Sequence, residues 1–290
     1  MELPRPGVVV ALLTPHEPGG GVDEDALRAH VDLLVDAGVD ALMPGGTTGE
    51  GPLLSDDELA AMVRATVAAA DGRVPVLAHI GRPGTAPTLA LAKRAVADGA
   101  AAVAAIVPFY YALSDDQVRA HYGALIEGAG APVYAYTIPS HTHAELAPAL
   151  LEQLIGDGLA GMKDSTKSAE RHGEYAAAVR AAGAPFALCT GTAGLMSAAL
   201  REDSAGAVLA LANVHPEPCV ALARAAREGH DDEVERLQAE LTRYDADVRA
   251  AGGIPALKRA VAERLAEHGA AYPAEVRGPL AAVTPVAAGS

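Results

Sequence analysis

Short apolar runs alternate with helical patterns along the chain as far as about residue 215. Eight such runs, each followed by a segment with helical spacing, fall at residues 8–13, 40–43, 74–78, 101–107, 133–136, 159–163, 186–189 and 206–209. A chain of 290 residues, 50% of them apolar, can bury a core large enough for that many elements. The alternation predicts an α/β fold of the (β/α)8 TIM barrel type.

Several helix starts in this pattern carry N-terminal capping signals. Asp23 precedes the first helical segment, and the pairs Ser55/Glu58 and Ser114/Gln117 have the spacing of a capping box. An open, doubly wound sheet is the alternative architecture. No G-x-G-x-x-G sequence follows the first predicted strand, however, so the dinucleotide-binding fingerprint of that architecture is missing.

The strand pattern stops after residue 215. Three helical segments are predicted beyond it, at residues 216–227, 231–249 and 253–267. We therefore predict two regions, a barrel with the active site over residues 1–215 and a C-terminal helical extension with a tail over residues 216–290. The last stretch, residues 273–290, is rich in Pro, Ala and Gly, which is typical of a surface tail.

Charge and hydropathy indicate which kinds of partner to expect. The chain has 22 Lys and Arg residues against 37 Asp and Glu, a formal charge of −15, and no basic run, which argues against nucleic-acid binding. No apolar stretch is long enough to span a membrane, and the N-terminus lacks the apolar core of a signal peptide. We expect a cytoplasmic protein that acts on small molecules.

The cysteines and histidines give no metal-binding pattern. Cys189 and Cys219 are far apart and lack ligand spacing, so they are interpreted as inert core thiols in a reducing compartment. His141 and His143 flank Thr142 with no cluster of carboxylates or thiolates near them in the sequence. We predict no metal site.

Barrel geometry places several polar residues in one pocket, because active sites of this fold lie at the carboxyl ends of the strands. Lys163 ends the sixth predicted strand and Tyr136 the fifth, Thr47 and Thr48 follow the second, and Tyr110 follows the fourth. An amine held away from water is more easily deprotonated, and it can then attack a carbonyl to form a Schiff base. The alternative is structural: a lysine that snorkels from a strand end, tyrosines that pack, and a threonine pair that caps a turn.

Four motifs in chain order carry a resemblance to a known family. They are residues 46–50 (GTTGE), 108–111 (PFYY), 136–139 (YTIP) and 161–165 (GMKDS), with further similarity at residues 256–258 and 272–273. In these motifs and their positions at strand ends the chain resembles the dihydrodipicolinate synthase/N-acetylneuraminate lyase family of class I pyruvate-dependent aldolases. The resemblance runs through the barrel and into the extension.

The resemblance implies a role for each matching residue. Lys163 would form the imine with pyruvate or with the pyruvoyl end of a longer 2-oxo acid, so no separate cofactor is needed. Tyr136 would act as general acid/base on the aldehyde oxygen through a relay with Thr47 and Tyr110, the latter reaching in from a neighbouring subunit. Family members are usually tetramers built as two dimers, and we expect the same here.

The same resemblance, together with the residues themselves, implies where the substrate is held. Gly46 allows the loop to turn tightly, which leaves the hydroxyl and amide groups of Thr47 and Thr48 free to bind the carboxylate of the oxo acid. Gly191 and the backbone carbonyl of Val208 are assigned to the same pocket by the resemblance alone.

Departures from the family pattern direct the choice among its activities. Dihydrodipicolinate synthases carry an Arg for the carboxylate of aspartate semialdehyde at the position of His141, and an imidazole cannot offer that bidentate fork. Thr137 and residues 79–83 also differ from the usual pattern. Residues 46–52 resemble 2-keto-3-deoxygluconate aldolases, so the leading hypothesis is an aldolase that cleaves a 2-keto-3-deoxy sugar acid or a related 4-hydroxy-2-oxo acid to pyruvate and an aldehyde, with His141 on the aldehyde side.

Three alternatives to this activity stay open at this point. The first is 4-hydroxy-tetrahydrodipicolinate (dihydrodipicolinate) synthase, which condenses pyruvate with aspartate semialdehyde. The second is a dehydratase that uses the same imine. The third is a barrel that binds an oxo acid without catalysis.

Overall fold

Eight parallel strands form the centre of the computed structural model, which describes residues 7–17 and 19–280. The strands are β1 Val8–Ala11, β2 Ala41–Met43, β3 Leu77–His79, β4 Ala102–Ile106, β5 Val133–Thr137, β6 Gly161–Asp164, β7 Ala187–Thr190 and β8 Gly206–Leu209. They pair in the order β2-β1-β8-β7-β6-β5-β4-β3. A parallel bridge between Leu42 and Val76 brings the two end strands together and closes the barrel, so the predicted (β/α)8 fold is confirmed.

Helices follow the strands and surround the barrel. Those that follow β1 to β7 are α1 Glu24–Asp36, α2 Asp56–Ala70, α3 Thr85–Ala97, α4 Asp115–Gly128, α5 Pro139–Thr142, α6 Pro148–Gly156, α7 Ala169–Ala182 and α8 Met196–Arg201. Asp23 caps α1 through the amide of Ala26, as predicted. Both predicted capping boxes are present at the starts of α2 and α4. Short 3-10 turns occur at Gly51–Leu53, Ala193–Leu195 and Leu211–Asn213.

One predicted strand is displaced along the chain. The third strand was expected at residues 74–78, whereas β3 spans Leu77–His79. Pro75 has no backbone N–H to donate to a ladder, and Val76 pairs with Leu42 only through an isolated bridge, although its carbonyl accepts from the Ala101 amide at 2.9 Å. The consequence is that His79 ends a strand instead of opening a loop.

Side chains separate cleanly between the two faces of the barrel wall. Outward residues such as Leu42, Val103 and Met162 pack under the helices. Inward residues such as Val9, Met43 and Val208 form a separate cluster inside the barrel. Since strand residues alternate between faces, Lys163 and Tyr136 fall on the inward side near the carboxyl ends of their strands.

Three further helices complete the fold after β8. They are α9 Pro216–Glu228, α10 Asp231–Ala250 and α11 Ile254–Glu267, in agreement with the predicted segments. Leu257, Val261 and Tyr272 pack in one cluster with Leu13 of the barrel. The helices are therefore attached to the barrel by a shared core, and the division of the chain at residue 215 stays a prediction.

The predicted surface tail lies partly within the described residues. Residues 273–280 are mostly exposed or half-buried, yet the amide of Arg277 donates to Glu50 on the barrel at 2.6 Å. The end of the predicted tail, residues 281–290, and the N-terminal residues 1–6 lie outside the described part. None of the helices in the described ranges is long and apolar enough to cross a membrane.

Candidate active site

Lys163 lies inside the barrel wall near the carboxyl end of β6. Its register partners are Tyr136 on β5 and Cys189 on β7. The side chain is 8% exposed, and Nζ lies 4.4 Å from the centroid of the Tyr136 ring. The amine is thus held over an aromatic face in a largely dry setting, with a small opening to solvent.

Gly191 borders the aliphatic part of the Lys163 side chain. A Cβ atom at Gly191 would lie 2.9 Å from Lys163 Cε and would overlap Ser165 Oγ. The Gly191 amide donates to the carbonyl of Asp164 at 2.5 Å. The absence of a side chain at Gly191 is therefore what leaves room for Lys163 to extend towards the strand ends.

Tyr136 is the second group of the site. Its ring is 2% exposed, and its phenolic oxygen lies 3.3 Å from Thr47 Oγ1, a hydrogen bond in which either oxygen can donate. Strand β5 and the loop after β2 supply these two groups. The structure therefore brings Lys163, Tyr136 and Thr47 together, as the barrel geometry predicted.

The loop that carries Gly46, Thr47 and Thr48 folds back on itself. The amide of Gly51 donates to the carbonyl of Gly46 at 3.0 Å, and a Cβ at Gly51 would overlap the backbone of Gly45. Thr48 is 7% exposed. The tight turn fixes the two threonines relative to Tyr136.

Glu50 connects this loop to the C-terminal extension. It has a left-handed backbone with φ 60° and is buried, and its Oε1 lies 2.5 Å from Nζ of the equally buried Lys258 on α11. The Arg277 amide donates to the other carboxylate oxygen, and His16 Nε2 lies 3.3 Å from Oε1. Burial works to raise the pKa of Glu50, but its contacts with His16, Lys258 and Arg277 outweigh burial and lower that pKa.

Tyr110 and Tyr111 lie on the rim of the barrel and point away from its interior. They are 85% and 71% exposed, and their rings contact each other edge to face. Tyr110 has a left-handed φ of 81°, which is costly for a bulky residue. Within its own chain, Tyr110 is not hydrogen-bonded to Tyr136 or Thr47 in the described structure.

His141 borders the same rim. Together with the Tyr110/Tyr111 loop it lines a groove of about 590 Å³ between the β4 and β5 loops. Its Nδ1 lies 2.9 Å from Ser140 Oγ. Partial desolvation and the positive charge of Lys167 lower the pKa of His141 below its ordinary value.

Val208 and Cys189 lie beneath Lys163. Both line a small void of about 10 Å³ inside the barrel. Burial raises the pKa of Cys189 to about 12, partly countered by Lys163, and burial likewise raises that of Cys219 to about 12. Both thiols are therefore protonated, in agreement with the expectation of inert core cysteines.

The sequence of the chain matches a known family over nearly its whole length. The model of the family described as dihydrodipicolinate synthetase covers residues 5–287. The chain belongs to this family. It is 34% identical to the 4-hydroxy-tetrahydrodipicolinate synthase of Xanthomonas axonopodis pv. citri over 239 residues. This alignment covers 82% of this chain and 78% of that protein. It is 37% identical over 258 residues to an uncharacterized DapA-like lyase of Halobacterium salinarum, and this alignment covers 86% of this chain and 84% of that protein.

Solved structures agree with this membership. Dihydrodipicolinate synthase from Aquifex aeolicus superposes with a TM-score of 0.88 at 27% identity, covering 97% of this chain and 93% of that one. A prophage protein of the dihydrodipicolinic acid synthase family from E. coli K12, solved with pyruvate, superposes with a TM-score of 0.91 at 24% identity. The superposition covers 97% of this chain and 94% of that one, and at this identity it supports the fold alone. As a family member, the chain is a pyruvate-dependent carbon–carbon lyase or synthase.

Two buried histidines near the family motifs, His172 and His79, could not be predicted from the sequence. Asp164 Oδ2 lies 2.8 Å from His172 Nδ1, and His172 Nε2 lies 2.7 Å from Ser204 Oγ, a chain that ties the end of β6 to α7. His79 ends β3, is 4% exposed, and packs edge-on against Tyr136. Neither histidine belongs to a recognisable motif, although His79 lies in the loop sequence noted as unusual.

The part of the chain that the structure describes contains no cluster that could hold a metal ion, where a cluster means three or more His, Cys, Asp or Glu side chains. His141 Nδ1 lies 2.9 Å from Ser140 Oγ, and His143 has a left-handed φ of 53°. The prediction of a metal-independent site stays a prediction.

Proposed function

We propose that the protein is a class I aldolase that reversibly cleaves a 2-keto-3-deoxy sugar acid, or a related 4-hydroxy-2-oxo acid, to pyruvate and an aldehyde. The observation that carries the proposal is the position of the Lys163 amine over Tyr136, whose hydroxyl is bonded to Thr47. An amine, a phenol and a hydroxyl in this order can form an imine and move a proton beside it.

Lys163 Nζ attacks the C2 carbonyl, and loss of water gives a protonated imine. Tyr136, as phenolate, removes the proton from the C4 hydroxyl, and the electrons of the breaking C3–C4 bond flow into the imine to give an enamine and the aldehyde. Protonation of C3 and hydrolysis of the imine release pyruvate and restore the amine. The carboxylate of the oxo acid is bound by the Thr47–Thr48 loop beside Gly46, with Gly191 and the Val208 carbonyl bordering the pyruvoyl group.

A phenol is a weak base near neutral pH, so Tyr136 needs a proton relay. Thr47 is its first member, at 3.3 Å. We assign the second member to Tyr110 of a neighbouring subunit, because Tyr110 of the same chain is strained, exposed and directed outwards. This assignment requires at least a dimer, and a tetramer of two dimers is the expected assembly.

The aldehyde side of the site favours a hydroxylated over a carboxylated partner. An imidazole cannot offer a carboxylate the bidentate fork of an Arg, and desolvation and Lys167 lower the pKa of His141, which disfavours its charged form. A neutral imidazole can instead exchange hydrogen bonds with hydroxyl groups. The second candidate, 4-hydroxy-tetrahydrodipicolinate synthase, is supported by the names of several relatives at 32–35% identity.

A substrate panel separates the two candidates. In the first experiment, the protein is incubated with pyruvate and borohydride, and the modified lysine is located by mass spectrometry. In the second, untreated protein is assayed for condensation of pyruvate with glyceraldehyde, longer hydroxyaldehydes and aspartate semialdehyde. We expect one reduced pyruvate on Lys163 and a kcat/KM for hydroxyaldehydes at least about tenfold above that for aspartate semialdehyde. A preference for aspartate semialdehyde would establish the synthase instead, dehydration without cleavage would establish a dehydratase, and an adduct without turnover would indicate a binding protein.

Replacing Tyr136 by Phe separates imine formation from bond cleavage. The variant keeps the aromatic face under Lys163 but loses the hydroxyl that lies 3.3 Å from Thr47. We expect kcat for cleavage to fall by about 10²–10⁴-fold, since general acid/base catalysis supplies about that much. Borohydride trapping of pyruvate should stay within severalfold of the wild type. Equal losses in trapping and cleavage would show that Tyr136 acts on Lys163 and not on the aldehyde oxygen.

A further inference from the structure

His79 has a single possible tautomer in the neutral ring. Its Nδ1 lies 3.1 Å from the carbonyl oxygen of Gly45, and a carbonyl can only accept, so Nδ1 carries the proton and donates it. Nε2 then has a lone pair and no proton. Burial and the positive charge of Lys163 lower the pKa of His79 to about 3, so the ring stays neutral while the site operates.

Nε2 of His79 is buried, and it has no hydrogen-bond partner in the described structure. Leaving a buried acceptor unpaired costs free energy, and an apolar ring would fill the same space without that cost. The hydrogen bond from Nδ1 to the Gly45 carbonyl therefore accounts for a histidine at this position. Gly45 belongs to the loop that carries Thr47.

The imidazole also touches the opposite member of the catalytic pair. Its ring lies edge-on to Tyr136, with centroids 5.8 Å apart and planes at 87°, the favourable geometry for two aromatic rings. His79 itself is fixed at the end of β3 by its amide, which donates to Pro44 at 3.0 Å. One residue thus joins the start of the Thr47 loop to the ring of Tyr136.

We propose that His79 is a positioning residue that sets the distance between the Tyr136 hydroxyl and Thr47 by tying the Gly45 backbone to the Tyr136 ring. The proposal rests on the proposed function, because it assigns that oxygen pair to proton transfer. Without the bond to Gly45, the loop and the ring are held by separate elements, and their hydroxyl groups separate. Misplacement by about 1 Å of groups that must react costs as much as 10²-fold in rate.

Two substitutions test the proposal. His79→Phe keeps a ring against Tyr136 but cannot donate to Gly45, whereas the amide nitrogen of His79→Asn takes the position of Nδ1 and can donate. We expect the Phe variant to lose about 100-fold in kcat for cleavage with KM for the oxo acid within about threefold, and a pH profile of kcat that is displaced from that of the wild type. The Asn variant restores the donor to Gly45 but not the ring against Tyr136, so it should recover part of the loss, at least about tenfold, and move the profile back towards that of the wild type.

Borohydride trapping of pyruvate is measured in parallel, together with thermal unfolding. Trapping at Lys163 within about threefold of the wild type in both variants supports a role limited to the Tyr136–Thr47 pair. The proposal is overturned if the Phe variant keeps kcat within about threefold, if the Asn variant is no better than Phe, or if trapping and cleavage fall together. Should the Phe variant not fold, His79→Leu, which also has no side-chain donor for Gly45, replaces it in the comparison. A wild-type protein that forms no adduct would instead refute the proposed function.

Discussion

Replacing Lys163 by Met should abolish carbon–carbon cleavage, with a loss of roughly 10⁴-fold or more in kcat/KM. The amine is the only group of the site that can become covalently bound to the substrate as an imine, and without it the C3–C4 electrons have no acceptor. Met matches the length of the lysine stem and suits the apolar void that Lys163 shares with Val9, Met43 and Val208. We therefore expect a folded but inactive variant.

The measurement is borohydride trapping followed by peptide mapping, with a cleavage assay beside it. The chain has four lysines, at positions 93, 163, 167 and 258, so the adduct has few possible locations. Lys93→Met is the matched control, because Lys93 is exposed on α3 and takes no part in the proposed site. Its trapping and turnover should equal those of the wild type. An adduct that persists in the Lys163→Met variant would place the nucleophile on another lysine and refute the mechanism.

The architecture of the barrel could be predicted because its signals are local. Apolar runs, capping boxes at Ser55 and Ser114, and turn residues depend on neighbours in the sequence, and all eight strands and the three final helices were found. Strand ends were less certain where a proline intervenes, and the shift of β3 moved His79 from loop to strand. That shift of the boundary decides whether the side chain of His79 faces the barrel interior.

The convergence of the site residues could be predicted for a related reason. The barrel brings all strand ends to one face, so Lys163, Tyr136 and Thr47 meet although they are far apart in sequence. Contacts that depend on a particular side-chain pair could not be predicted in this way. Nothing in the sequence shows that Lys258, in a helix of the extension, ends beside Glu50 in the site loop.

Replacing Lys258 by Met should destabilise the protein by about 3–5 kcal/mol, the usual cost of leaving a buried charge without its partner. Lys258 and Glu50 have fully buried side chains, so the charge that remains after the substitution is shielded from bulk solvent. Because Glu50 closes the Thr47–Thr48 loop, activity towards the oxo acid should fall as well. Chemical unfolding with urea, read by circular dichroism, gives the change in stability.

Two control variants identify the cause of that change. Glu50→Gln combined with Lys258→Met removes both charges and should cost less than Lys258→Met alone, because no unpaired charge remains buried. Arg94→Met removes one partner of the exposed ion pair with Asp57 and should cost about 0–1 kcal/mol. Glu50→Gln is also measured alone. A double variant whose loss of stability equals the sum of the losses of Lys258→Met and Glu50→Gln would mean that the two charges do not interact, and would contradict the prediction.

The pH dependence of stability measures what the Glu50 carboxylate contributes to the fold. The pKa of Glu50 is lowered from its ordinary value of 4.5, because its contacts with His16, Lys258 and Arg277 outweigh the effect of burial. A carboxyl whose pKa is lower in the folded than in the unfolded state stabilises the fold above the unfolded pKa, and this contribution is lost as the pH falls. The wild type should therefore lose stability below about pH 4.5 more steeply than the doubly substituted variant, which lacks this carboxyl. Parallel curves for the two proteins between pH 3 and pH 6 would show that the Glu50 carboxylate and its contacts with His16, Lys258 and Arg277 do not stabilise the fold.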